Sequence, residues 1–141
     1  MKRADLEHIP RASKGVTGES EFVVIGSQAI LGPHPDAPRE LRESMEADLY
    51  PRLRPELAEM IEGSLGRYSQ FDQTFGYFAD GVSPSTATVP QGWDQRLIPL
   101  CNENTAGATG CERSLIRAVP RQGLFGCSNS KARIAGSMLP A

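Results

Sequence analysis

The sequence predicts a single α/β domain. Three observations lead there: short β-branched apolar runs alternate with helix-like segments, one segment alternates strictly in polarity, and 141 residues suit one modest core. Taken in order, residues 6–13 read as a helix with Leu6 and Ile9 inward, weakened or kinked by Pro10, which lacks a backbone donor. Gly15 and Gly18 end it. Residues 21–25, Glu-Phe-Val-Val-Ile, form a short apolar run bounded by glycine, as a buried strand does. Gly26 and Ser27 come next, and residues 28–31 suit a helical turn or two before Gly32, Pro33, Pro35 and Pro38 impose an irregular loop.

Residues 44–50 are the alternating segment. A period of two puts Met45, Ala47 and Leu49 on one face and Ser44, Glu46, Asp48 and Tyr50 on the other. Pro51 closes this strand. Pro55 suits a helix start, and Leu57, Met60, Ile61 and Leu65 recur at the spacing of an apolar helix face, with Gly63 and Gly66 near the end. Phe71, Phe75, Tyr77 and Phe78 read as core, the last two on a strand running toward Gly81 and Val82. Residues 96–100 read as one more strand. Past Gly110 the periodicity fails, and Pro120, Gly123, Gly126 and Gly136 punctuate the remainder of the chain.

Charge and composition narrow the function. Fifteen basic against seventeen acidic residues leave a net charge of −2, which excludes the bulk positive field of nonspecific nucleic-acid binding. Any phosphate must be held locally. No apolar run is long enough to span a bilayer, and Asp5 and Glu7 interrupt the region where a signal peptide needs its apolar stretch, so the chain reads as soluble and cytoplasmic, with no membrane partner. Cys101, Cys111 and Cys127 have neither CxxC spacing nor paired histidines nearby, so neither a disulfide framework nor a zinc site is implied. The average hides an asymmetry: residues 1–100 hold ten basic and fifteen acidic residues, whereas 101–141 hold five and two, with no acid after Glu112. Such a shift marks a boundary or tail.

Two constellations can carry chemistry. Gly26 and Ser27 lie between a buried strand and a short helix, where backbone N–H groups and a hydroxyl can bind phosphate and a glycine lets the ligand approach. The same pair also suits a plain strand-to-helix turn with Ser27 as N-cap. Glu46 and Asp48, two apart on a strand, set their carboxylates side by side about 7 Å apart at the backbone, and a divalent cation relieves their repulsion. A solvated strand face is the simpler account of that pair. His8 and His34 have no partner nucleophile, Cys101 reads as a small core residue, and Trp93 as packing over a turn. Arg52 and Arg54 could meet phosphate or simply face solvent.

Together the constellations are more specific than either alone. Residues 23–27, Val-Val-Ile-Gly-Ser, with residues 45–51, Met-Glu-Ala-Asp-Leu-Tyr-Pro, after them, resemble the hydrophobic-Gly-[Gly/Ser] and acidic-x-acidic pattern of the nucleotidyltransferase fold, the polymerase-β-like superfamily. The chain looks closest to small bacterial nucleotidyltransferase-like proteins related to minimal nucleotidyltransferases and AbiE-type toxin–antitoxin components. The likeness extends through Phe75, Gly76, Tyr77, Phe78, Gly81, Val82, Gly92 and Trp93 to residues 104–110, and so covers about residues 1–110.

The resemblance implies that Gly26 and Ser27 hold nucleotide phosphates and that Glu46 and Asp48 bind Mg²⁺ as metal ligands and catalytic residues. It also implies a third catalytic carboxylate on a later strand, for which Asp80 is the candidate, although its place beside Gly81 equally suits a turn. The chain departs from the pattern in having Glu first of the acidic pair and three prolines between Ser27 and Glu46. After Gly110 the His-Asp dipeptide and Ser-Lys pair of related chains are not found in a helix, and the Ser-Lys at 130–131 has no assigned role. A frameshifted or replaced terminus would explain that change, and translating the coding DNA in its other two frames checks it.

The expectation is therefore an α/β fold, a small mixed sheet with flanking helices, nucleotidyltransferase-like over residues 1–110, with an irregular tail at 111–141. The expected function is Mg²⁺-dependent transfer of a nucleotidyl group from a nucleoside triphosphate to an acceptor hydroxyl. The alternatives are a catalytically inactive nucleotide- or protein-binding module with a protein partner, as in a toxin–antitoxin pair, or a truncated product.

Overall fold

A computed structural model describes residues 1–86, 91–106 and 115–118. Helix α1, Arg3–Thr17, opens the chain and is longer than the sequence pattern suggests. Its ends are set locally: the Asp5 carboxylate accepts the Lys2 N–H at 2.7 Å, and Gly18, in left-handed conformation, donates its N–H to the Lys14 carbonyl at 2.9 Å. Pro10 lies inside the helix, which runs on past it. Leu6 and Ile9 are fully buried, so packing of the apolar stripe holds the helix despite the lost donor.

Strand β1, Glu21–Ile25, is buried on both faces, as its unbroken apolar run requires. The segment after it, Ser27–Leu31, is a 3-10 helix rather than an α-helix. Strand β2, Glu46–Pro51, lies antiparallel to β1 with Ile25 opposite Asp48 and Phe22 opposite Pro51. A 3-10 turn at Pro55–Leu57 leads into helix α2, Ala58–Leu65. Its inward residues are Ala58, Ile61 and Leu65, whereas Met60, expected on that face, is exposed. Helix α3, Gln70–Phe75, is capped by Ser69, whose hydroxyl accepts the Asp72 N–H at 3.2 Å. Strand β3, Phe78–Gly81, is parallel to β2, and α2 and α3 make the crossover that parallel pairing needs.

Strand β4, Ile98–Leu100, is followed by the short helix α4, Glu103–Ala106, and by strand β5, Leu115–Ala118. Strand β5 lies parallel to β1 and antiparallel to β4, giving a five-stranded mixed sheet in the order β3-β2-β1-β5-β4. The α/β class and mixed sheet expected from sequence are therefore present. The irregular region does not take in residues 115–118, however, since they pair beside the central strand. With that exception, residues 107–141 lie outside the described residues, as do Cys111, Cys127 and the Ser-Lys pair.

The sheet separates two apolar layers. Phe22, Val24, Ala47, Leu49 and Ala79 pack on one face with Leu6, Ile9, Ile61 and Leu65 of α1 and α2. Val23, Ile25 and Tyr50 lie on the other with Ala58, Val82 and Leu97, and half-buried Trp93 packs against them. Met45, expected on the apolar face, precedes β2 and is half-exposed. The aromatic residues of the α3 region are only partly core: Phe75 is 47% exposed, and it joins Phe71 and Tyr77 around His8. The Tyr77 hydroxyl lies 2.7 Å from His8 Nδ1, and burial lowers the imidazole's pKa.

A buried carboxylate fastens α1 to the chain beyond β4. Glu7 pairs with Arg3 at 2.8 Å and accepts the side-chain amides of Asn102 at 2.7 Å and Asn104 at 2.9 Å. Arg3 in turn donates to the carbonyls of Leu31 and Gly32, where the 3-10 segment ends.

Candidate metal centre

The alternation read in the sequence places Ala47 and Leu49 in the α1–α2 core and turns Glu46, Asp48 and Tyr50 to the opposite face. Strand β3 alternates the same way, with Ala79 in that core and Asp80 turned away from it. The parallel register then sets Asp48 directly across from Asp80 and Glu46 across from Phe78. As a result one carboxylate oxygen from each of Glu46, Asp48 and Asp80 lies within 4.8 Å of the other two, all three residues being partly buried.

Burial and the crowding of like charge show in protonation. The Asp48 pKa is raised from 3.8 to about 6, first by burial, then by the negative charges of Glu46 and Asp80 and a hydrogen bond with Asp80. A fourth carboxylate borders the group. Glu62 of α2 accepts the Gly81 N–H at 3.1 Å, and its pKa is raised chiefly by a hydrogen bond with Asp80, then by burial. The approach of α2 to β3 depends on Gly81, where a Cβ would collide with the Ala58 carbonyl. Nothing in the sequence pattern points to Glu62, because it neighbours Ile61 on a helix read only for its apolar face.

Gly26 closes the other side. Its φ of +80° and ψ of −168° belong to a region open in practice to glycine alone, and a Cβ there would run into the Asp48 carboxylate. The glycine after β1 therefore brings bare backbone against the acidic group. Ser27 is exposed next to it, and Gln28 is buried beneath. The 3-10 segment spans only five residues, so its axial dipole is much smaller than that of a multi-turn α-helix.

Other candidates are placed elsewhere. Arg52 pairs with Glu21 at 2.5 Å and Arg54 with Glu56 at 3.3 Å. His34 is exposed on the loop and Cys101 is buried. Among the described residues no helix is long and apolar enough to cross a membrane.

The donor set suits a hard divalent cation. Three carboxylates offer oxygen only, at a separation that one or two ions can bridge. No protein-family model, no curated protein and no solved structure matches the chain.

Proposed function

We propose that the chain is a Mg²⁺-dependent nucleotidyltransferase acting on a nucleoside triphosphate. The observation that supports this best is the meeting of Glu46, Asp48 and Asp80 from two paired strands beside the Gly26–Ser27 turn. Asp80, 32 positions beyond Asp48 and on β3, is taken as the third carboxylate that the resemblance implies. In the reaction an acceptor hydroxyl oxygen bonds to the α-phosphorus, the bond from that phosphorus to the bridging oxygen breaks, pyrophosphate leaves, and the hydroxyl proton passes to solvent. When bound, Mg²⁺ would supply positive charge to the attacking and leaving oxygens.

The protein's part is position and charge. Glu46, Asp48 and Asp80 would hold the cation, and above a pH of about 6 Asp48 is mainly ionised even without one. The bare backbone of Gly26 admits the phosphates, and the Ser27 hydroxyl donates to one of their oxygens.

Calorimetric titration with ATP, GTP and CTP, with and without Mg²⁺, tests the proposal, together with an assay of pyrophosphate release with hydroxyl acceptors. Mg²⁺-dependent binding that Asp48→Ala abolishes is expected. Absence of binding to the wild-type protein would overturn it. Binding without pyrophosphate release would assign the chain to the nucleotide-binding, noncatalytic alternative.

A further inference from the structure

Gln28 is the most deeply buried polar side chain near the candidate site, 2% exposed directly beneath the exposed Ser27. Its Nε2 donates to the Ser27 hydroxyl oxygen at 3.2 Å and, at the limit of hydrogen bonding, to the Leu41 carbonyl at 3.5 Å. Its Oε1 is buried without a hydrogen-bond partner. Burying an amide with one end unsatisfied is unfavourable, and an apolar side chain of the same size would fill the space without that cost. The end that is satisfied is the one touching Ser27.

We infer that Gln28 is a positioning residue that orients the Ser27 hydroxyl toward a phosphate oxygen of the bound nucleotide, an inference that rests on the function proposed above. A serine hydroxyl has one O–H donor and two acceptor lone pairs. With the Gln28 amide donating into a lone pair from below, the hydroxyl proton turns away from the interior, toward the exposed side that Ser27 shares with Gly26. The Leu41 carbonyl favours this orientation of the amide, because that oxygen can only accept and so pairs with nitrogen rather than oxygen. Were the amide reversed, Oε1 would accept the Ser27 proton and draw it inward, leaving nothing to offer an anion. Glycine thus admits the phosphate, serine donates to it, and the buried amide keeps the serine donating.

A double-mutant cycle on Ser27→Ala and Gln28→Leu tests this, with Mg·ATP and Mg²⁺ alone as titrants in calorimetry. A hydrogen bond to a charged acceptor corresponds to about tenfold or more in affinity, so each single variant is expected to weaken Mg·ATP binding by about that factor. The double variant should bind no more weakly than Ser27→Ala, because Gln28 has nothing to act on once the hydroxyl is gone. Affinity for Mg²⁺ alone should stay at the wild-type value throughout, a readout that general loosening of the fold would not spare. Gln28→Met, of similar volume, provides the same comparison should leucine's branching disturb the fold. Wild-type affinity in either Gln28 variant, or losses that multiply in the double variant, would overturn the inference. Failure of the wild-type protein to bind Mg·ATP at all would remove the function proposed above and this inference with it. Binding by the wild type with multiplying losses would remove this inference alone.

Discussion

Asp48→Asn should make the metal-free protein more stable at neutral pH while removing its response to Mg²⁺. The Asp48 carboxyl titrates near 6 in the fold, against 3.8 ordinarily, so the folded chain holds this proton more tightly than the unfolded one. Where the folded state binds more protons, stability falls as pH rises. This group's penalty is therefore absent below a pH of about 4, grows between about 4 and 6, and is constant above that range. At ~1.4 kcal/mol per pH unit the upper bound is ~3 kcal/mol, and solvent screening of a half-buried group reduces it to ~1–2 kcal/mol. Asparagine keeps the shape and removes the charge. Urea denaturation from pH 3.5 to 8 without divalent ions is expected to give coincident curves for the two proteins at the acid end and a variant more stable by ~1–2 kcal/mol above pH 7. With millimolar Mg²⁺ the order should reverse, because only the wild type gains binding energy. A variant less stable than wild type at pH 7.5 without metal would refute the reasoning, since it would mean that Asp48 is satisfied rather than repelled.

Two further substitutions probe how the site and fold are held. Gly26→Ala should cost ~1–3 kcal/mol in urea denaturation, since alanine neither adopts that backbone conformation nor fits beside the Asp48 carboxylate, and it should weaken Mg²⁺ binding by calorimetry. Gly15→Ala, with open space around it inside α1, is the control and should be neutral or slightly stabilising; equal effects at the two positions would contradict this account. Glu7→Ala leaves Arg3 and two asparagine amides without their carboxylate, so it should cost ~3–5 kcal/mol, and a loss under ~1 kcal/mol would show the cluster to be dispensable.

The legible parts of the site are those written in local periodicity. Glu46 and Asp48 could be read as sharing a face because a strand repeats every two residues, and Gly26 could be marked because it comes directly after a β-branched run. Asp80 could only be nominated: its place depends on β3 lying parallel to β2 in the one register that sets it across from Asp48. Glu62 gave no sign at all, since its role comes from α2 approaching β3 at Gly81. The sequence sets His8 aside for want of a partner nucleophile but gives no sign of the ring of Phe71, Phe75 and Tyr77 around it, residues more than sixty positions away.

The sequence pattern ends at Gly110 for the same reason. Residues 115–118 are too short a run to announce a strand, and they become one through pairing with β1 and β4. By itself the sequence determined the local alternatives: which segments bury a face, where glycine and proline break the chain, and that two acids project together. Tertiary structure alone decided which distant segments meet, and so whether two carboxylates became three with a fourth behind them. The physical reason is that side-chain periodicity is a property of neighbouring residues, whereas strand register and helix crossover are chosen by the packing of the whole sheet.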